Sequence, residues 1–221
     1  MKILRNVATA LGLMILASQG QAATIGFANI AGGDTSGDSL VGRFSLELTD
    51  VSTRFTQKVQ IKIKSAAANA SYFIGSIFID DEPGNRLSGE SSAYKDSLSY
   101  RTEFKYKTSG GFAQGNLINF GATARYMMEG GSSAGVQPGD YATFQFGGTY
   151  AQVLAGLQSG ALRFGLHVQG INLPGCEDGS DSFVSYVPPV LPPIPTVPLP
   201  ASGLMFLGAL GGLVGLRRRK S

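Results

Sequence analysis

The chain has no tryptophan, one cysteine (Cys176) and one histidine (His167) among 221 residues, and only 15% of its residues are charged. A lone cysteine excludes an intramolecular disulfide framework, and a lone imidazole excludes a His-rich metal centre. So little charge, set against 43% hydrophobic residues, excludes a solvating disordered polyelectrolyte. Acidic residues are also missing from both ends: none precedes Asp34 and none follows Asp181. Glycine is abundant instead, with 31 residues, about twice the usual share.

The missing acids explain the net charge of +3. Six of the 18 basic residues sit at the ends: Lys2, Arg5, Arg217, Arg218, Arg219 and Lys220. Between them stand 12 basic and 15 acidic residues, a net of −3. The positive excess therefore belongs to topology signals, and a nucleic-acid partner is not expected. Lys2 and Arg5 form the charged region of a secretion signal, and Val7 to Ala17 its apolar core. Eleven residues rising about 1.5 Å each are too short for a bilayer core of about 30 Å. Gly20-Gln21-Ala22 supplies small residues at −3 and −1, so cleavage is expected between Ala22 and Ala23.

The other end carries a second address. Val187 to Pro200 reads VPPVLPPIPTVPLP and holds seven of the ten prolines, the pattern of a stiff polyproline-II stalk. Sixteen uncharged residues, Ala201–Leu216, follow as the expected transmembrane helix. The basic cluster Arg217, Arg218, Arg219 and Lys220 then sets its cytoplasmic side. The run VPLPASGLMFLGALGGLVGLRRRK resembles the C-terminal sorting signal of PEP-CTERM proteins in its VPLPA-CTERM variant. It has the same order of short Pro motif, Gly/Leu-rich helix and Arg cluster. ALRFGLHVQGINLPGCEDGSDSFVSYV is similar to a stretch that many such proteins carry before the stalk. The resemblance implies that Val197, Pro198, Leu199, Pro200 and Ala201 are recognition residues cut by an integral-membrane exosortase. It further implies export by a Gram-negative bacterium and a link to exopolysaccharide and biofilm matrix.

The expected organisation is a signal peptide (1–22), a β domain (23–186), a Pro-rich stalk (187–196) and the sorting signal (197–221). Within the domain, Phe44, Leu46 and Leu48 alternate with Ser45 and Glu47. Val59, Ile61 and Ile63 alternate with lysines and Gln60, and Leu162 to Val168 repeats the pattern. Period two with one polar face predicts antiparallel strands. Further strands are expected at 24–30, 72–80, 98–105, 116–126, 141–146 and 182–186, with turns at 32–38, 80–85, 130–139 and 177–181. Thr149 and Gln152 have capping-box spacing, Tyr150, Val153, Leu154 and Leu157 share one face, and Gly160 follows, predicting one short helix. The fold class is mainly β: an antiparallel two-sheet sandwich, jelly-roll-like.

No catalytic site, metal site or cofactor is expected. Gly131-Ser132-Ser133-Ala134-Gly135 matches the GxSxG nucleophile elbow, with Asp140 and His167 in the right order, but no helix pattern follows. His167 is expected on a solvated strand face. Cys176 is either buried or available for intermolecular pairing. Asp34 with Asp38, Asp80 with Asp81 and Glu82, and Glu177 with Asp178 and Asp181 are ordinary acidic turns without EF-hand spacing. The leading expectation is a non-enzymatic surface or matrix protein. The alternative is a carbohydrate-binding sandwich using an exposed tyrosine set, Tyr94, Tyr100, Tyr106 and Tyr126, and a Ser133 hydrolase stands last.

Overall fold

The computed structural model describes residues 21–82, 86–89, 93–96, 101–107 and 110–186. The chain divides into two compact units, Met1–Val187 and Pro188–Ser221, and every described residue lies in the first. The expected stalk, the sorting signal and residues 1–20 of the leader lie outside the described residues.

The described strands are β1 (Ala22–Asn29), β2 (Phe44–Asp50), β3 (Lys58–Ser65), β4 (Ser71–Asp80), β5 (Ala93–Asp96), β6 (Arg101–Lys107), β7 (Ala124–Met128), β8 (Tyr141–Gly147), β9 (Arg163–Leu173) and β10 (Cys176–Tyr186). One α-helix, α1 (Tyr150–Ser159), joins β8 to β9. All ladders are antiparallel, in the order β1-β10-β9-β4-β7-β6-β5-β8-β3-β2. β1 pairs with β10 through Gly26 opposite Tyr186 and with β2 through Ile25 opposite Leu46, so the sheet curls until its edges meet. The hydrogen bonding does not divide the strands into the two sheets expected from the sequence. Alternation fixes which face of a strand is buried, but it does not say which strand edges meet.

Inward residues fill the ring. Leu46 and Leu48 of β2 stand opposite Ile63 and Ile61 of β3, all wholly buried with Phe144 of β8 and Phe164, Leu166 and Val168 of β9. Each such side chain contributes about 1.5–3 kcal/mol. Ring contacts cross the interior: Phe44 of β2 meets Tyr72 of β4 at 5.7 Å, and Tyr126 of β7 meets Phe144 at 5.0 Å.

β4 is buried on both faces. Ile77 and Ile79 face inward, while Phe78 faces outward and is covered by Phe112 (5.0 Å), which itself packs on Phe120 (4.6 Å). The sequence suggested a strand over 116–126. Instead Gly115–Ile118 is a 3-10 turn flanked by left-handed Gln114 (φ 62°) and Asn119 (φ 49°), and only β7 follows as strand. The segment 110–123 is thus an outer cover. It is held by Arg163, which pairs with Asp80 and donates to the carbonyls of Ile118 (2.9 Å) and Asn119. The expected turn at 177–181 lies within β10 as a bulged strand, with the reversal at Pro174-Gly175.

α1 matches its sequence signals. Thr149 Oγ1 accepts a hydrogen bond from the Gln152 amide (3.3 Å), and Gly160 closes the helix at φ 74°. Tyr150, Val153 and Leu157 turn into the core. Because β8 ends and β9 begins beside it, α1 covers the end of the ring at which β1 starts and β10 finishes.

Candidate functional site

Of the residues expected to carry the sorting signal, Val197, Pro198, Leu199, Pro200, Ala201 and the cluster Arg217–Lys220 lie outside the described residues. Among the described residues, no helix is long and apolar enough to cross a membrane. Ala22 and Ala23, the expected cleavage pair, open β1: Ala22 stands opposite Thr49 and Ala23 opposite Leu48. The Asp50 amide also donates to the carbonyl of Gln21 (3.0 Å). Cleavage between Ala22 and Ala23 would remove these outermost rungs and leave the Ala23–Leu48 rung.

The tyrosines expected on the surface are not alike. Tyr126 is a core residue, 1% exposed, with its ring against Phe144 and Phe146, which corrects the expectation of an exposed set. Tyr106 is half-buried and meets Tyr126 edge to face at 5.6 Å. Together with Phe146, Ile79 and Leu87 they line a cavity of about 380 Å³, with Asp81 and Thr123 at its rim. Nothing about the side chain of Tyr94 or the placement of Tyr100 is described. Asp81 is already committed, accepting from the guanidinium of Arg86 (2.9 Å) and from the amides of Arg86 (2.7 Å) and Leu87 (3.0 Å). The cavity therefore combines aromatic and aliphatic wall with an equally polar lining, a surface suited to a sugar ring or another small amphipathic molecule.

His167 sits on the outer face of β9, opposite Ser76 of β4 and Ser182 of β10. It is half-buried rather than solvated as expected. Burial, and then the charge of Arg125, hold its pKa below the ordinary 6.5, with Asp181 acting the other way. Arg125 stacks over Phe78 (5.0 Å) and donates to Ser76 Oγ (3.3 Å). Ser133 occupies a 3-10 turn, Ser132–Ala134, and the chain then extends so that Val136 bridges Ile74. A nucleophile elbow requires a strand-to-helix turn, and here extended chain and β8, not a helix, follow Ser133.

The acidic turns serve the fold. Asp80 is paired with Arg163 and accepts from the Gly121 amide (3.2 Å). Asp181, 1% exposed, accepts from Asn29 Nδ2 (2.8 Å) and from the amides of Gly37 (2.9 Å) and Ser182 (2.7 Å). Asp34 is exposed, and hydrogen bonds from the Ser36 hydroxyl and then its amide lower its pKa. Among the described residues, no three acidic, cysteine or histidine side chains gather as metal ligands. Cys176 is half-buried at the start of β10, and its thiol points at the Ile171 carbonyl (3.8 Å).

The site that sequence reasoning missed lies on the outer face of β2, β3 and β8, where the outward residues are Ser45, Glu47 and Thr49, then Lys58, Gln60, Lys62 and Lys64, then Tyr141, Thr143 and Gln145. None of them is buried. Lysines at every second position but one of KVQIKIKS are the signal that could have found it. Comparison with protein-family models, with curated proteins and with solved structures returns no match to this chain.

Proposed function

We propose that the protein is an exported, non-enzymatic surface or extracellular-matrix protein of a Gram-negative bacterium. On this reading it is carried on a proline-rich stalk, sorted through Val197–Ala201 by an exosortase and associated with exopolysaccharide. Residues 201–216 hold it in the membrane before processing, with Arg217–Lys220 on the cytoplasmic side. The observation that supports this reading is the placement of the domain's two ends. β1 begins and β10 finishes at the same end of the ring, beside α1, so the two ends of the domain lie at one pole. Intact mass of the protein from membrane and medium fractions of its host tests it. The expected species starts near Ala23 and ends near Pro200, and it disappears when the exosortase is deleted. A species that always ends at Ser221 overturns the sorting reading.

We also read the ring as flattened into two facing layers, in the manner of a jelly roll. Eight strands already enclose an interior that side chains just fill, so ten would leave a void unless opposite walls approach. The Phe44–Tyr72 and Tyr126–Phe144 contacts are of that kind. A second functional reading, a carbohydrate-binding module, is favoured by the cavity beside Tyr106 and Tyr126. Binding to neutral glycans that is lost on Tyr106→Ala supports it, and binding that survives this change overturns it.

A further inference from the structure

The β2–β3 hairpin is charged unlike the rest of the domain. Residues 43–64 hold five of the 12 basic residues found between 23 and 186 and only two of the 15 acidic ones. The strand register places Lys62 between Glu47 and Thr143, and Lys64 between Ser45 and Tyr141. Lys64 Nζ is paired with Glu47 (2.5 Å), while Lys62 rests 4.5 Å over the Tyr141 ring. Lys58 and Lys62 make no ion pair among the described residues. Successive outward positions on one strand lie about 6.6 Å apart, so Lys58, Lys62 and Lys64 rise from one line of β3, the Lys62 ammonium leaning towards β8 and the Lys64 ammonium towards β2. Where the row ends at Lys64, a depression of about 390 Å³ opens between Arg43, Ser45, Lys64, Asp140 and Tyr141.

We propose that this face binds an anionic polysaccharide, a chain of uronic acid units laid along β3 with its carboxylates against Lys58, Lys62 and Arg43. The neutral members of the face, Ser45, Thr49, Gln60, Thr143 and Gln145, supply hydroxyl and amide groups suited to sugar hydroxyls. A nucleic acid fits less well, because the Tyr141 ring, which could stack on a base, already carries Lys62. A membrane surface fits less well again, because no aliphatic side chain points outward from these three strands. The inference rests on the exported reading above, which puts the face among extracellular polymers. It adds the ligand class and the residues that hold it.

The test uses the full chain in neutral detergent, with polygalacturonate as the probe and dextran and single-stranded DNA as comparators. Saturable binding to polygalacturonate that weakens as salt rises is expected, with at least a tenfold loss in the Lys58→Gln/Lys62→Gln/Lys64→Gln variant and in Arg43→Gln. Lys105→Gln/Lys107→Gln, on exposed β6 positions, should bind like the parent. All these changes lie on exposed or half-exposed strand or loop positions, and an unchanged melting temperature checks that each variant folds. Equal binding to dextran, tighter binding to DNA, or an equal loss in the Lys105/Lys107 variant each overturns the proposal. The mass measurement of tail processing does not depend on this face, so either reading can fail without the other.

Discussion

Gly165 shows how tightly the outer cover is fitted to the sheet. A Cβ placed there would lie 2.7 Å from the Phe112 ring, closer than any real contact, so the cover can seat only if β9 is bare at that point. Gly165→Ala should cost about 2 kcal/mol by overpacking, and Phe112→Ala about 3 kcal/mol by leaving a cavity. In a denaturant double-mutant cycle the pair should cost clearly less than the sum, because the added methyl occupies space the ring has left. Strict additivity would show that the two do not meet. His167 gives a pH signature on the same outer face. Its folded pKa lies below the 6.5 of the free imidazole, so as pH falls the unfolded chain takes up the proton first. Stability should therefore fall as pH drops below 6.5 towards the folded value, and His167→Gln should remove that part of the loss in urea titrations at pH 7 and pH 5. Neither feature could be read from the sequence. Alternation placed His167 on the outer face of β9 but did not reveal that this face is partly covered.

Elements were legible where the signal is local. The helix announced itself by cap, apolar stripe and terminal glycine, and β2, β3 and β9 by strict alternation over inward residues that the structure buries. Thr149→Ala should lose about 1 kcal/mol, and Gly160→Ala about the same through a left-handed alanine. Thermal unfolding checks both, and a neutral Thr149→Ala would mean that the 3.3 Å cap bond contributes nothing. Elements were illegible where a long-range partner decides. Residues 116–126 have the apolar content of a strand, but the chain spends the first part of it in a 3-10 turn that seats Phe112 and Phe120 over Phe78. Glu177-Asp178-Gly179 reads as a turn by composition, yet pairing with β9 draws it into β10, at the cost of a bulge and a left-handed Asp178 (φ 55°). β5 is only four residues long and has no alternation pattern long enough to recognise.

At the scale of the whole molecule, closure of the ring through β1 makes a claim that local elements do not. If β1 joins β10 to β2, the two ends of the domain are neighbours, and the strand order survives moving them elsewhere. Tyr186 stands opposite Gly26, so Ala22 lies four residues further along β1, about 13 Å away at 3.3 Å per residue. A linker of about six residues can cover that span and the step between strands. New ends can be opened in the β2–β3 turn between residues 54 and 57, where Phe55 is 89% exposed and the bonds lost include those of Thr53 with Thr56, while those of Val51 and Ser52 with Lys58 remain. A permutant running from residue 57 to 186, through the linker, and from 22 to 54 should therefore fold cooperatively as a monomer. Its melting temperature should fall by only a few degrees, because loop-closure entropy changes slowly with loop length. The new ends leave from the pole that carries α1, because β2 finishes and β3 begins there. The stalk and sorting signal appended after residue 54 should then be processed as in the parent. A permutant that folds but escapes processing would show that the pole from which the stalk leaves is not what matters for sorting. One that cannot fold would show that the β1 seam does not close the ring.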